Sequence, residues 1–168
     1  MKYTILSLLT ISAAFQMGSF AHAASLEGEA QEIRAILVDN AHAYTMRDKE
    51  KICEMYRRAG ERLLIFDMVP PVEDRGFQKA VVEKVSRFVD GTKGPIVSVY
   101  GDPQIHVIDH NHAYVTSHVQ FAFTTLAGKN ANVAGRATQI FERIDGTWTV
   151  VHEHSSVPSV VGFSWSGT

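Results

Sequence analysis

The hydrophobic pattern of the 168-residue chain changes its period about halfway along. In the first half, apolar residues recur at helical spacing and predict three helices. These cover Leu26–Arg47, Asp48 to about Arg58, and Gly76–Val89. Asp48 is a suitable N-cap for the second helix, a short apolar strand covers Leu63–Phe66, and a loop with two consecutive prolines covers Met68–Arg75.

In the second half, apolar and polar residues alternate, which predicts β-strands. The strands cover Ile96–Tyr100, Ile105–Ile108, His112–Leu126, Val133–Ile144 and Trp148–Val157. Asp145-Gly146 is a hairpin signal before the last strand. Helices followed by a strand meander predict an α+β domain with helices on one face of a curved antiparallel sheet. The open end of such a cone is a natural pocket for a small ligand.

The N-terminus has the features of a secretory signal peptide. Lys2 precedes an uncharged, mostly apolar stretch from Tyr3 to Phe20, and Ala21-His22-Ala23 offers a cleavage point before Ala24. The sequence therefore predicts a signal peptide over residues 1–23 and one domain over residues 24–168. We expect the mature chain in the periplasm or the medium, with no stable membrane insertion.

Charge and cysteine content argue against a nucleic-acid-binding protein and against a disulfide-stabilised one. Removing Lys2 leaves 15 of the 16 basic residues against 18 acidic ones, and these charges are scattered along the chain. The sequence has no cluster of basic residues of the kind that indicates nucleic-acid binding. The single cysteine, Cys53, has no partner for an internal disulfide and lies in a helical apolar pattern, which indicates a buried thiol.

The last strand ends in a polar run that invites a functional interpretation. If the alternation holds, Trp148, Val150, His152, His154 and Ser156 share one face, which changes from apolar to polar along the strand. This face could enter a metal site, line a pocket or end in solvent. No third ligand is fixed by spacing, so the sequence predicts no metal site.

A proton-transfer site is the catalytic alternative. Asp67 follows a strand, Tyr44 lies on the inner face of the first helix, and His154 ends the last strand. A carboxylate, a phenol and an imidazole that share a cavity could move a proton on a carbon acid. In the structural alternative, Tyr44 is a core residue, Asp67 caps a loop, and the histidines are hydrogen-bonded.

The segment RATQIFERIDGTWTVVHEHSSVP, with PQIHVIDHNHAYV before it, resembles the SnoaL-like group of the nuclear transport factor 2-like superfamily. Both stretches are also similar to the association domain of calcium/calmodulin-dependent protein kinase II. The matching positions are Arg136, Thr138, Ile140, Phe141, Arg143, Gly146, Trp148, His152, His154 and Ser156. The resemblance covers about residues 26–158.

The resemblance implies a cystatin-like cone that dimerises through the outer face of its sheet, here the face of Tyr114, Thr116, His118 and Gln120. It implies a pocket between sheet and helices, lined by Arg136, Gln139, His152 and Ser156 together with the catalytic candidates. No cofactor is expected. Members include isomerases, cyclases, dehydratases and non-catalytic modules, so the fold does not decide the function. Ligand binding, proton-transfer catalysis and pure assembly remain open.

The sequence departs from two well-known sites of the superfamily. Ketosteroid isomerases use a tyrosine and a protonated aspartate opposite an aspartate base. Asp67 lies only roughly at the position of that base, Tyr44 about one helical turn from that of the tyrosine, and Ile140 near that of the second acid. Gln139 stands where the kinase association domain has an arginine.

Overall fold

A computed structural model of the chain describes residues 7–67 and 73–157, with side chains from residue 26 onwards. The helices are α1 (Ser7–Met46), α2 (Lys49–Glu54) and α3 (Glu83–Asp90). A 3-10 segment, Arg57–Arg62, follows α2, and a π-helical turn, Gln78–Val82, leads into α3. Residues 1–6 of the predicted signal peptide, and all of its side chains, lie outside the described part.

Six strands form one sheet in the order β2-β1-β6-β5-β4-β3. They are β1 (Leu64–Phe66), β2 (Glu73–Arg75), β3 (Thr92–Asp109), β4 (His112–Thr125), β5 (Asn130–Ile144) and β6 (Thr147–Ser156). Neighbouring strands are antiparallel except β1 and β6, which run parallel. The α+β class with helices before a curved sheet is confirmed.

The core lies between the helices and one face of this sheet, which we call the inner face. From the helices, Ile33, Leu37 and Ile52 are fully or almost fully buried, and from the sheet Phe141 and Val150 are fully buried. Burying a side chain of this size stabilises the fold by about 1.5–3 kcal/mol. Helix α1 packs mainly against β3, and α2 packs against α1 and α3.

A polar clamp ties α1 to the β5–β6 hairpin. Arg143 forms ion pairs with Glu29 and Glu32, and its guanidinium lies 4.7 Å from the centre of the Trp148 ring. The Trp148 indole N–H donates to Glu29 over 3.1 Å. Within the described residues, no helix is both long enough and apolar enough to cross a membrane.

Several predicted boundaries are corrected. The second helix ends at Glu54 rather than near Arg58, because the chain enters a 3-10 segment in which Gly60 has φ +55°. The two strands predicted over residues 96–108 form one strand, β3, interrupted by register shifts near Asp102, whose φ is +46°. The predicted loop over residues 68–75 ends in strand β2, while residues 68–72 lie outside the described part.

Other local predictions are confirmed. The Asp48 side chain accepts from the backbone N–H of Lys51 and caps α2. Asp145 and Gly146 both have positive φ, as a two-residue hairpin turn requires. Cys53 is buried, and burial raises the pKa of its thiol.

Candidate functional site

A register shift in the last strand decides which polar residues face the core. Phe141 pairs with Val150 and Ile140 pairs with His152, so Val151 has no partner on β5. An extra residue of this kind is a β-bulge, and it reverses the alternation beyond it. Glu153 therefore pairs with the buried Gln139 on the inner face.

The Glu153 carboxylate is the centre of a hydrogen-bonded cluster on the inner face. One carboxylate oxygen accepts from the Tyr56 hydroxyl at 2.7 Å and from the Gln139 amide at 2.8 Å. The other accepts from the Ser155 hydroxyl at 3.1 Å. Tyr56 itself is held by the end of α2, because the backbone N–H of Val150 donates to the carbonyl of Met55 over 2.8 Å. Helix and sheet thus both orient this carboxylate.

A second hydrogen-bonded chain links α1, α2 and β3 beside this cluster. The Asn40 amide donates to the carbonyl of Ile52, and its oxygen accepts from the Tyr100 hydroxyl, each over 2.9 Å. Asn40 is almost fully buried, so both bonds compensate for lost hydration. The chain holds the Tyr100 ring against the inner face.

An aromatic cluster adjoins the polar one. The Tyr44 ring contacts Phe121 and Phe88 edge to face, with ring centres 5.2 and 6.3 Å apart, and Phe88 contacts Phe123 at 5.0 Å. All four rings remain partly accessible although they belong to the inner face or pack on it. A water-sized probe therefore reaches this part of the core. We call the two clusters together the inner site.

The electrostatics of the tyrosines show how deep the inner site lies. Burial is the largest cause that raises the pKa of Tyr44, followed by the charge of Glu153, with Cys53 and Asp67 contributing less. Burial and then Glu153 also raise the pKa values of Tyr56 and Tyr100 well above the usual tyrosine value. Tyr44 is thus deeply placed, and its side chain keeps partial access to solvent.

Asp67 and Tyr44, both predicted from the sequence, lie within electrostatic reach of each other. Asp67 forms an ion pair with Lys84 at 2.7 Å, and Lys84 also pairs with Asp74. The Asp67 side chain is 44% exposed, so this carboxylate lies at the edge of the molecule rather than in the core. Among the described residues, the Tyr44 hydroxyl makes no hydrogen bond.

Four other predicted pocket residues face away from the inner site. His152 pairs with Ile140 and His154 with Thr138, on the face opposite to Gln139. The Phe66 ring lies against both imidazoles, with ring centres 5.8 and 6.2 Å away. Arg136 pairs with Ser156 and is exposed on this same outer face. The prediction that these residues line the pocket is corrected: the bulge at Val151 turns His152, His154 and Ser156 outward, and the regular alternation of β5 places Arg136 on the face opposite to Gln139.

Of the residues predicted to line the pocket, only Gln139 lies on the inner face. Of the catalytic candidates, Tyr44 packs against the core on that side. Sequence reasoning missed Glu153, Tyr56, Tyr100, Asn40 and Ser155. Strict alternation assigned Glu153 and Ser155 to the outer face, and no local signal in the sequence revealed the bulge. In the sequence, Tyr56 and Tyr100 are recognisable only as aromatic positions in a helical and a strand pattern.

Two further features of the described residues concern ligands. No three histidine, cysteine or acidic side chains within residues 26–67 and 73–157 come together in a way that could hold a metal ion. A groove of about 320 Å³ runs between α1 and β3 and is lined by Leu37, Val38, Val99 and Tyr100, among others. Tyr100 therefore borders both this groove and the inner site.

A family model described as a SnoaL-like domain matches residues 33–159. This chain belongs to the SnoaL-like domain family. The match includes α2, α3, the complete sheet and every residue of the inner site. The resemblance identified from the sequence is thereby confirmed.

Solved structures similar to this SnoaL-like domain share its fold. A nuclear transport factor 2-like protein from Salmonella enterica serovar Typhimurium is 19% identical, with a TM-score of 0.68, covering 87% of this chain and 99% of its own. The association domain of C. elegans calcium/calmodulin-dependent protein kinase II is 18% identical, with a TM-score of 0.61 and coverage of 79% and 98%.

A candidate scytalone dehydratase from Novosphingobium aromaticivorans is 14% identical, with a TM-score of 0.67, covering 77% of this chain and 84% of its own. At these identities the similarity establishes the fold of the SnoaL-like domain and nothing further. No curated protein matches the chain.

Proposed function

We propose that this SnoaL-like domain binds a small, partly apolar molecule at the inner site. The observation that carries the proposal is the position of Tyr44, a deeply placed but partly accessible ring between an aromatic cluster and the Glu153 carboxylate. Ligand sites are typically apolar clefts with a few polar groups held in fixed positions. Here Tyr56, Gln139 and Ser155 fix the carboxylate before any ligand arrives.

Native mass spectrometry of the protein purified from its own host tests this proposal. We expect a stoichiometric small-molecule adduct on the intact chain, lost in Glu153→Gln and retained in His154→Gln. The two residues are neighbours on opposite faces of β6, so the second variant is a matched control. No adduct in any preparation, or equal loss in both variants, would contradict binding at the inner site.

Export is part of the proposal and rests on the signal-peptide pattern of residues 1–23. Its support from the structure is indirect: Glu29, shortly after the expected mature N-terminus, already takes part in the clamp with Arg143 and Trp148. A chain beginning at Ala24 would keep this contact. N-terminal sequencing of the protein recovered outside the cytoplasm should read Ala24 as its first residue.

We also propose that the domain forms a homodimer through the outer face. Phe66, Tyr114 and Ile140 leave 37–41% of their surface exposed there, and the Tyr114 ring stacks on His106 at 4.7 Å. Adjacent exposed rings and aliphatic side chains are typical of an interface core. The similar fold of the kinase association domain, whose name denotes assembly, supports the same proposal.

Light scattering on Ile140→Glu tests the dimer. We expect this variant to be monomeric, because it places two carboxylates in an apolar two-fold interface. Val38→Glu is the matched control, since Val38 is a more exposed aliphatic residue on α1. A dimer that persists in Ile140→Glu, or dissociates equally in both variants, would assign the interface elsewhere.

Proton-transfer catalysis is a second candidate function. It is favoured by the Tyr44 hydroxyl, which has no hydrogen-bond partner among the described residues while Glu153 and Asp67 lie within electrostatic reach. A phenol beside a carboxylate can donate to a substrate carbonyl while the carboxylate accepts a proton. Once a ligand is known, turnover that is lost in both Tyr44→Phe and Glu153→Gln would establish catalysis, whereas binding without turnover would not.

A further inference from the structure

The inner site contains a carboxylate whose charge no described cation compensates. Glu153 forms three hydrogen bonds, but within the described part of the chain it takes part in no ion pair. Lys84 is already shared between Asp67 and Asp74. Arg143 is taken up by the clamp with Glu29 and Glu32. A partly buried carboxylate without a counter-ion is costly, which makes the site attractive to a positive charge.

Gln139 provides an independent sign that a hydrogen-bond donor is missing. The residue is 1% exposed, and its amide nitrogen donates to Glu153. Its amide oxygen is buried and has no hydrogen-bond partner among the described residues. Such an orphan acceptor costs about 1–3 kcal/mol, so it calls for an explanation. A ligand with several N–H donors would satisfy both this oxygen and the remaining acceptor capacity of Glu153.

The aromatic cluster fits the same type of ligand. Tyr44, Phe88 and Phe121 have their ring centres 5.2–6.3 Å apart and remain partly accessible. Aromatic faces carry negative partial charge and attract organic cations. The rings would also bury an apolar body attached to the charged group.

From these three observations we infer that the inner site takes a small organic cation, an ammonium group attached to an apolar body of about one ring. This inference rests on the proposed binding function and names the ligand class for it. A ligand with a carboxylate or phosphate would instead meet the charge of Glu153, with Asp67 nearby. The site therefore discriminates by charge as well as by shape.

Three probes of nearly equal size and different charge test the inference: benzylamine, benzyl alcohol and benzoate. Binding to the full mature chain is measured by calorimetry near pH 7, where benzylamine is protonated. We expect benzylamine to bind at least ~10-fold more tightly than benzyl alcohol, and benzoate most weakly. Glu153→Gln should remove the preference for the amine, and His154→Gln on the outer face should leave it unchanged.

The outcomes separate the two proposals. Equal or tighter binding of benzyl alcohol or benzoate overturns the ligand class but keeps the binding function. A preference for benzylamine that persists in Glu153→Gln overturns the assignment to this carboxylate. No binding of any probe overturns the ligand class, and native mass spectrometry of the protein from its own host then decides whether the inner site binds a molecule at all. If Glu153→Gln does not fold, the order of the three probes on the unmodified chain decides the charge preference. Weaker benzylamine binding in Tyr44→Leu then assigns the cation to the inner site, and unchanged binding places it elsewhere.

Discussion

The two faces of β5 and β6 share one backbone but differ in chemistry. On the inner face, Gln139 and Glu153 lie opposite each other and are joined by a hydrogen bond. On the outer face, their immediate neighbours Ile140 and His152 are only partly covered, and their side chains are not joined in this way. Adjacent residues therefore have opposite roles, and the one-residue bulge at Val151 assigns them. Which residues of a strand can take part in a site therefore depends on the register of that strand.

The largest expected difference between the faces concerns stability. Phe141→Ala removes a fully buried ring and should lower the free energy of unfolding by about 3–5 kcal/mol. Ile140→Ala, its neighbour on the outer face, should cost less, about 1 kcal/mol, because 41% of this residue is exposed within one protomer. Denaturant unfolding at one fixed protein concentration measures both. Equal losses would show that the outer face is as closely packed as the inner one.

A somewhat smaller difference should separate Glu153 from His154. Glu153→Ala leaves the hydroxyls of Tyr56 and Ser155 and the amide of Gln139 without their acceptor, and we expect a loss of about 2–3 kcal/mol. His154→Ala removes an exposed side chain and should change stability by less than about 0.5 kcal/mol. Thermal and denaturant unfolding would compare them. A larger loss in the histidine variant would contradict the assigned register.

The inner face should also make the domain sensitive to alkali. The pKa values of Tyr44, Tyr56 and Tyr100 are raised in the folded state, so the unfolded chain loses these protons first. Stability is therefore complete below the ordinary tyrosine pKa of about 10 and falls as the pH rises above it. Each tyrosine contributes up to about 1.4 kcal/mol per pH unit.

Denaturant unfolding across this pH range, followed with phenolate absorbance, measures the alkaline effect. Tyr100→Phe should reduce the slope of the free energy of unfolding against pH, because the pKa of Tyr100 is raised in the folded state. A slope that is insensitive to Tyr100→Phe would show that this phenol ionises equally in the folded and unfolded chains.

The smallest predicted difference in stability is between substitutions of two tyrosines of the inner site. Tyr56→Phe removes a 2.7 Å hydrogen bond to Glu153 and should destabilise the domain by about 1 kcal/mol. Tyr44→Phe should lower the free energy of unfolding by only about a few tenths of a kcal/mol, because the Tyr44 hydroxyl has no hydrogen-bond partner among the described residues. Unfolding free energies and ligand affinity should separate the pair. We expect Tyr56→Phe to affect stability more, and Tyr44→Phe to affect binding more.

Much of the fold could be predicted from the sequence because it depends on local periodicity. The regular alternation over residues 112–126 predicted one apolar face of β4 with Val115, Val119, Phe121 and Phe123, of which Val115 and Val119 are buried and the two phenylalanines are partly buried. The Asp48 cap and the Asp145-Gly146 turn depend on a few neighbouring residues, and both are confirmed. The strand β2 escaped prediction because Glu73-Asp74-Arg75 is stabilised by pairing with β1 rather than by apolar content.

The site was harder to predict from the sequence, because its residues come from distant parts of the chain. Tyr44 and Gln139 were selected from the sequence, and the structure keeps both on the inner side. Glu153 was placed on the wrong face, since strict alternation carries no information about an extra residue. Asn40 and Tyr100 are 60 positions apart and meet only when α1 packs across β3.

The sequence by itself determined the α+β class, the order of the elements and the family, because periodicity, turn chemistry and the C-terminal motif are local properties. The tertiary structure alone decided which side of β6 faces the core. Phe141 pairs with Val150 and Gln139 pairs with Glu153 on the buried face, which leaves Val151 without a partner on β5. This pairing across strands turns Glu153 inward and the two histidines outward.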